Sequence, residues 1–567
     1  MRPPLRQPAP AMPRMFAALA CALFMTACAG LPQDVPRPES HALAATQRTA
    51  LHTLVDQRRQ QAGAQAASGF ALLDGPQAAY GSRLALVEAA QKTLDLQYYA
   101  VHADASSARL LRAVRDAAGR GVRVRILLDD FHSVGRNALV LQLAYVPNIE
   151  MRLFNPLAGG RQSTVRRVLN SLGDAKRIQQ RMHNKLFIAD NILGITGGRN
   201  LGDAYFGLGD AGNFVDLDVL AAGPVVREMS KSFDSYWNNE RAYPAPALVT
   251  PEELAALRRS EREGAGAAHA EGAPRPPDGE PRPASGGDAR QRAQRVALAW
   301  DQKAMDLQTL PFVWAPSALL ADAPGKIPAD AGAAAGPTPE RPTPAHGELP
   351  EGETVVDGLL HLIAQARRDL LIISPYFVPG DDMKKAFADA RQRGVRIRVL
   401  TNSLASNDAP IAHVGYARHR MDLLDAGVEL YEMRSEQASV GSALGSAGGS
   451  GAGAAGASRA MLHSKVLVRD DRLLVVGSMN LDLRSQLQNT EIALLIRSRE
   501  LSRQATELIE RSLREGAWRV ERDKNGRLVW RAPAGSGLQD ARREPDSSLG
   551  LRLLLRVIGP LAPDEML

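Results

Sequence analysis

Residues 183–200 read HNKLFIADNILGITGGRN, and residues 463–480 read HSKVLVRDDRLLVVGSMN. In both, Lys falls two residues after His, Asp seven after and Asn seventeen after. Histidine is scarce here, with 11 in 567 residues, so a second copy of this spacing is not a coincidence. The two segments read as halves of one active site. Residues two apart on a strand share a face, so His183 and Lys185 point one way, as do His463 and Lys465. Leu186 and Ile188, or Val466 and Val468, then face a core. Asp190-Asn191 and Asp470-Asp471-Arg472 are turn sequences, and the chain returns as Leu193–Thr196 and Leu473–Val476. A hairpin folded about each turn brings Asn200 and Asn480 back opposite their histidines.

Outward from the motifs the repeat continues. Helical spacing over Ser82–Thr93 precedes an alternating strand, Leu94–Tyr99, then a glycine-ended helix, Ser107–Gly119, and a strand, Val122–Leu128. The second half repeats the order with Val355–Arg368, Leu370–Ser374, Met383–Arg393 and Val395–Leu400. GVRVRIL at 121–127 matches GVRIRVL at 394–400. The alternation predicts an α/β fold: two pseudo-symmetric α/β/α sandwich domains with largely parallel cores, packed around one shared active site.

The first domain is expected over residues 66–248 and the second over 353–535, with a Gly/Ala/Ser-rich flexible insert at 437–458. Residues 249–295 and 321–352, rich in Pro, Gly and Ala, read as disordered linkers. Between them, the island 296–320 carries Trp300, Phe312 and Trp314, which predict packing on a domain. Leu501–Arg514 reads as an amphipathic helix, followed by a hairpin-like piece and a C-terminal segment, 536–567. The apolar run Leu549–Ile558 in that segment is read as core in preference to a membrane contact.

The formal charge is +7 and the pI about 9.4. That balance suits anionic lipid or nucleic acid and is diagnostic of neither. Arg2, Arg6 and Arg14 precede the apolar run Met15–Ala27, which has the length of a secretory h-region and is too short to span a bilayer. Met25-Thr26-Ala27-Cys28 resembles a bacterial lipobox. Residues 1–28 are therefore expected to be a lipoprotein signal peptide, Cys28 the lipid anchor and 29–65 a tether with a helix near Leu51–Arg59. A plain cleaved signal and an uncleaved anchor are the alternatives. Cys21 and Cys28 are the chain's two cysteines, so cleavage before Cys28 leaves nothing for a disulfide or cysteine metal site.

A His, a Lys and an Asn on one polar patch bind a phosphate, Lys by full charge and Asn as a neutral donor. Two such patches surround one phosphodiester. One imidazole attacks phosphorus to give a phosphohistidine, and the other protonates the leaving oxygen, then deprotonates the incoming hydroxyl. Lys185, Lys465, Asn200 and Asn480 stabilise the charge that builds on the equatorial oxygens. The scheme needs no metal and no cofactor. Asp190 and Asp470 are carried as catalytic candidates, although their residue type and place in the motif favour a turn or structural role. Asp216 and Glu491 follow the motifs at similar distances, and each is placed to orient the histidine of the opposite half. Gly198 and Ser478, at matching positions, are further substrate-binding or orienting candidates. Asp129-Asp130 is read as structural, not as a metal site.

With these residues quoted, the chain resembles the phospholipase D superfamily, whose signature is His-x-Lys-x4-Asp with a downstream Gly-[Gly/Ser]-x-Asn. The similarity runs over most of 69–245 and 296–530. Leu94-Asp95-Leu96-Gln97-Tyr98-Tyr99, Arg152-Leu153-Phe154-Asn155-Pro156 and Asp216-Leu217-Asp218-Val219-Leu220 are similar to bacterial cardiolipin synthases of the C type. The resemblance implies two phospholipase D-type domains and transfer of a phosphatidyl group to the hydroxyl of phosphatidylglycerol, forming cardiolipin. It implies His183 as nucleophile and His463 as acid, an assignment the near-symmetric halves leave open. The expected partners are phosphatidylglycerol, with phosphatidylethanolamine a second donor candidate, and a membrane surface, with no nucleic acid. The oligomeric state is left open. The expected location is the bacterial cell envelope, lipid-anchored and facing the periplasm. The alternatives are a hydrolase releasing phosphatidic acid, then a nuclease, then an inactive membrane-tethered binding protein.

Overall fold

The computed structural model describes residues 31–44, 46–163, 165, 167, 175–209, 212–270, 303–327, 354–435, 459–559 and 562–564, without side chains at 175–176 and 261–270. Cys28 and its signal run, Trp300 and the insert at 437–458 lie outside the described residues. The first half carries β1 (Gly69–Leu73), β2 (Thr93–Tyr98), β3 (Arg123–Asp129), β4 (Ile149–Phe154), β5 (Leu186–Ala189), β6 (Leu193–Gly197), β7 (Gly212–Val215), β8 (Asp218–Ala222) and β9 (Ala242–Pro244). After it come β10 (Val313–Trp314) and β11 (Ser317–Ala321). The second half carries β12 (Asp369–Ile373), β13 (Phe377–Val378), β14 (Arg396–Asn402), β15 (Glu429–Met433), β16 (Arg459–Leu462), β17 (Val466–Arg469), β18 (Leu473–Gly477), β19 (Leu481–Asp482), β20 (Ile492–Arg497), β21 (Ala517–Arg522) and β22 (Leu528–Arg531). The helices used below are α1 (Ala50–Gln61), α2 (Pro76–Ala89), α3 (Ala105–Gly119), α4 (Val225–Trp237), α5 (Pro251–Ala270), α6 (Val355–Ala364), α7 (Asp381–Gln392), α8 (Pro410–Asp425), α9 (Leu483–Leu487), α10 (Arg499–Glu515) and α11 (Leu549–Ile558).

The strands form two matching nine-stranded sheets, ordered β10-β1-β8-β6-β5-β2-β3-β4-β9 and β11-β20-β18-β17-β12-β14-β15-β21-β22. The cores are mixed, which corrects the expectation of largely parallel sheets. Within these two sheets, parallel pairing is confined to β2-β3-β4 and β12-β14-β15. The motif hairpins β5-β6 and β17-β18 join antiparallel to that trio and carry the sheet onward. Gly121 (φ +92) and Gly394 (φ +84) take left-handed backbone just past α3 and α7, the conformation that ends a helix and is cheap only for glycine.

Three apolar clusters hold the layers together. Leu84, Leu86, Leu110 and Val114 of α2 and α3 pack on Leu94 and Leu96. Val355, Leu359 and Phe387 of α6 and α7 pack on Leu370 and Ile372. The middle cluster is common to both halves: Leu186, Ile188 and Val219 join Val466, Val468 and Leu494 through Phe233 of α4 and Ile509 of α10. Each such fully buried side chain contributes about 1.5–3 kcal/mol.

The segments between the domains differ in part from expectation. Residues 251–270 of the expected linker 249–295 form α5, docked by the buried Leu254 and Leu257. Thr250 and Glu253 cap it reciprocally, the Glu253 carboxylate accepting from Thr250 N at 2.8 Å. Of the linker 321–352, residues 321–327 are ordered, and Asp322 is buried with its carboxylate accepting from Glu491 N at 2.9 Å. The described part of the island, 303–320, bridges the sheets: β10 pairs with β1, and β11 pairs with β20. The expected tether is held to the first domain. Ala42 N donates to Asp234 Oδ2 at 2.8 Å, Asn191 Nδ2 donates to Leu43 O at 2.8 Å, and α1 covers 50–61. The run Leu549–Ile558 is α11 and is not core. Of its apolar side chains Leu555 alone is buried, because the helix lies on the outside of α8.

Candidate active site

Each motif histidine stands just before the first strand of its hairpin, and the other half fixes its backbone. His183 N donates to Thr490 O at 2.9 Å, and His463 N donates to Val215 O at 2.8 Å. Two short parallel pairings cross between the halves here. β7 pairs with β16, with Val215 opposite Leu462, and Met182 bridges Thr490. The residue after each crossing point is a buried carboxylate, Asp216 or Glu491.

Those carboxylates take the histidines of the opposite half. His183 Nδ1 lies 2.9 Å from Glu491 Oε2, and His463 Nδ1 lies 2.7 Å from Asp216 Oδ2. With Nδ1 engaged, each ring keeps Nε2 for chemistry. The matched positions 198 and 478 support these pairs. The Ser478 hydroxyl donates to Glu491, whereas a Cβ at Gly198 would stand 2.5 Å from the Asp216 carboxylate oxygens, so that position must be bare. Lys185 and Lys465 are buried beside the histidines, each Nζ donating to the carbonyl of its own motif histidine. Asn200 Oδ1 accepts from Ala100 N at 3.2 Å, and its Nδ2 donates to Tyr205 Oη at 3.0 Å. Asn480 is buried, and its Oδ1 has no hydrogen-bond partner among the described residues.

Asp190 and Asp470 are corrected from catalytic candidates to turn residues. Both have positive φ, +51 and +54, in the hairpin turn at the far end of β5 or β17 from the histidine. Asp190 accepts from the backbone N–H groups of Gln91, Lys92 and Thr93 at 3.0, 2.8 and 2.9 Å. Asp470 does the same for Arg367, Arg368 and Asp369 at 3.1, 2.7 and 3.1 Å. Each therefore pins the entry of the central strand, β2 or β12, to the hairpin. Asp129 and Asp130 are also structural: Asp129 Oδ2 accepts from Met182 N at 2.9 Å, and Asp130 pairs with Arg161 and Arg167.

The electrostatics favour an anionic ligand. Burial lowers Lys185 to about 7 and Lys465 to about 8, against the pull of the two carboxylates. Burial also lowers both histidines, with Lys185 adding to the effect at His183 and Lys465 at His463. The carboxylates differ. Burial raises Glu491 to about 7. At Asp216 burial also works against ionisation, but the hydrogen bond and charge of His463, with Lys465 and Arg199, outweigh it and hold the group below its usual range. Two ammoniums facing two carboxylates leave an added phosphodiester anion to be balanced by one imidazolium.

Several groups at the site have no spacing signal in the sequence. The Tyr99 ring stands edge-on to His183 at 5.1 Å, and Tyr205 edge-on to His463 at 5.4 Å. Tyr99 follows the carboxyl end of β2, where residues reach past the sheet, so strand topology alone could have flagged it. Arg484, on α9 just after the second motif, acts electrostatically on His183, Tyr99 and His132. Among the described residues no group of three or more His, Cys, Asp or Glu is arranged to hold a metal ion.

Two pseudo-symmetric halves, each lending a His-x-Lys and a carboxylate to the other, define an enzyme of the phospholipase D type. The family model described as "Cardiolipin synthase, PLD-like domain" matches residues 84–237 and 359–513. Cardiolipin synthase C of Escherichia coli is 34% identical over 508 residues, covering 86% of this chain and 94% of that protein. An uncharacterized protein of Helicobacter pylori is 30% identical over 475 residues, covering 83% and 84%. A crystal structure of phosphatidylserine synthase from Haemophilus influenzae has the same fold, with a TM-score of 0.50 and 13% identity over 89% of this chain and 97% of that one. The chain belongs to the cardiolipin synthase, PLD-like family and is a phosphatidyltransferase.

Proposed function

We propose that this enzyme moves a phosphatidyl group from a phospholipid donor to the hydroxyl of phosphatidylglycerol, forming cardiolipin through a phosphohistidine on His183. The observation that carries the reading is the crossed pairing of each imidazole with the opposite half's carboxylate, which aims two Nε2 atoms at one buried site. His183 has the more strongly depressed basicity, so its Nε2 lone pair is free to attack phosphorus. His463 sits beside the ionised Asp216 and is the better imidazolium. As the His183 N–P bond forms, the bond from phosphorus to the headgroup oxygen breaks, and His463 passes its proton to that oxygen. The acceptor hydroxyl then gives its proton to His463 and attacks phosphorus, and the N–P bond breaks. With phosphatidylglycerol as donor the products are cardiolipin and glycerol; with phosphatidylethanolamine, cardiolipin and ethanolamine. Lys185, Lys465, Asn200 and Asn480 carry the charge of the equatorial oxygens.

By the same proposal Cys28 anchors the mature chain to an envelope membrane, with the catalytic body in the periplasm. The lipobox-like sequence at 25–28 supports that placement. The test of function is incubation of purified protein with phosphatidylglycerol, with and without phosphatidylethanolamine, followed by lipid mass spectrometry. Cardiolipin is the expected product; phosphatidic acid alone, or unchanged lipid, would refute the transfer.

A further inference from the structure

α11 is the largest exposed apolar feature among the described residues. Its apolar residues Leu549, Leu553, Leu554, Val557 and Ile558 are 37–72% exposed. At 100° per residue Leu549, Leu553 and Val557 form one line, with Gly550, Leu554 and Ile558 beside it, an arc of about half the helix circumference. Arg556 is exposed at the edge of that arc, and no acidic residue occurs between Ser547 and Ala562. An exposed apolar face with an arginine at its edge and no acidic residue on the helix complements an anionic lipid surface.

The helix is also strapped down. Before it, Glu544 pairs with Arg420 at 2.9 Å and with His413 at 3.2 Å, both on α8. After it, Asp564 pairs with Arg418 and, at 2.8 Å, with His419, again on α8. A Cβ at Gly559 would meet Val414 of α8 at 2.7 Å, so the end of α11 lies directly on that helix. α8 in turn starts two residues after Asp408, which accepts from Tyr376 Oη at 2.8 Å and acts electrostatically on Lys465 and Tyr205. The outward apolar face is thus fixed to the helix that begins at the rim of the active site.

We propose that α11 seats the enzyme on an anionic phospholipid bilayer, its Leu549, Leu553, Leu554 and Val557 side chains entering the acyl boundary and Arg556 lying at the phosphate level. The proposal rests on the reading that the substrates are phospholipids. Ten residues rise about 15 Å, half the hydrocarbon thickness, so the helix lies in the interface and does not cross. It delivers the mouth of the site to the plane in which both substrates diffuse.

The test uses the full chain with Cys21→Ser and Cys28→Ser, so that no lipid anchor contributes, and a spin label at Leu554→Cys. On phosphatidylcholine vesicles containing phosphatidylglycerol the label should gain oxygen collisions and lose collisions with a water-soluble nickel chelate. A label at Lys385→Cys, on α7, should stay aqueous. Binding should weaken when phosphatidylglycerol is omitted. The double variant Leu553→Asp/Leu554→Asp, at exposed positions that cost no core packing, should raise KM on vesicles about tenfold or more. Turnover of monomeric short-chain phosphatidylglycerol should be unchanged. A Leu554 label that stays aqueous in the vesicle-bound protein overturns the proposal, as does a failure to bind vesicles. A label buried without vesicles in a concentration-dependent way overturns it too, because a second copy of the chain then covers the face. The label reads the bilayer contact without turnover, so it distinguishes failure of this proposal from failure of the catalytic one.

Discussion

Replacing Glu491 with Gln isolates the work of one carboxylate. The side chain keeps its size, and its amide oxygen still has the Ser478 hydroxyl and His183 Nδ1 as neighbours. What disappears is the negative charge facing the ring. When Nε2 bonds phosphorus the imidazole becomes cationic, with Nδ1 2.9 Å from the carboxylate and the charge centres roughly 4 Å apart. At an effective dielectric of about 20 that attraction is about 4 kcal/mol. A neutral hydrogen bond restores about 1 kcal/mol, so about 3 kcal/mol of transition-state stabilisation is lost and kcat should fall about a hundredfold. KM should change less than about threefold, because Glu491 lies behind the ring and not against the substrate. Stability should move the other way. Glu491 is raised to about 7 from 4.5 by burial, so its protonated form stabilises the fold below pH 4.5 and that contribution is lost as pH rises through 7. At pH 8 the variant, free of this penalty, should be more stable by up to about 3 kcal/mol. Lipid turnover and urea unfolding at pH 5 and pH 8 measure both effects. A kcat within about threefold of wild type would refute the assignment of Glu491 as the group that positions and charges His183.

Asp190→Ala should lower stability by about 3 kcal/mol, because three backbone N–H groups lose their acceptor; activity per folded molecule should be retained, as urea titration with parallel assays will show. His183→Ala should abolish turnover of every ester, whereas His463→Ala should still release p-nitrophenol from a p-nitrophenyl phosphodiester in a burst of one equivalent, since that leaving group needs no proton; a missing burst would reverse the two roles. With Lys185 lowered to about 7 and Lys465 to about 8, kcat/KM should decline as pH rises through 7–8 while the ammoniums lose protons. In kcat the decline should shift to higher pH, because a bound phosphodiester anion holds those protons; steady-state assays over pH 6–10 check the shift.

The hairpins were legible because strand alternation and a turn rich in Asp and Asn leave few other foldings for residues 183–200 and 463–480. Glu491 and Asp216 were legible from their similar distances behind the motifs. Asp190 shows the limit of the signal that made the motif visible: a fixed offset shows that a residue is required, not what it is required for. Tyr205 comes from a single 3-10 turn, Asp203–Phe206, whose position depends on the whole sheet, so no local pattern marks it. α5 was overlooked because its glycines and alanines resemble linker composition, although Thr250-Pro251-Glu252-Glu253 carries a capping signal at its start. α11 was expected in the core because a run of leucines states only that a helix is apolar. Which side it turns outward is decided by Glu544 and Asp564, remote charges that clamp it to α8.

The ladder between β7 and β16 has a consequence for how this enzyme tolerates change. Val215 and Leu462 are register partners that end their strands, and the next residue of the chain is Asp216 or His463. The alignment of acid and base is therefore set by counting peptide units along two extended segments, not by the fit of neighbouring side chains. Repacking an oily interior shifts atoms by fractions of an ångström, whereas one inserted residue in Arg459–Leu462 displaces the imidazole by about 3.3 Å and turns it to the opposite side of the strand. Insertions and deletions there, more than substitutions, are the lesions that would uncouple the two halves.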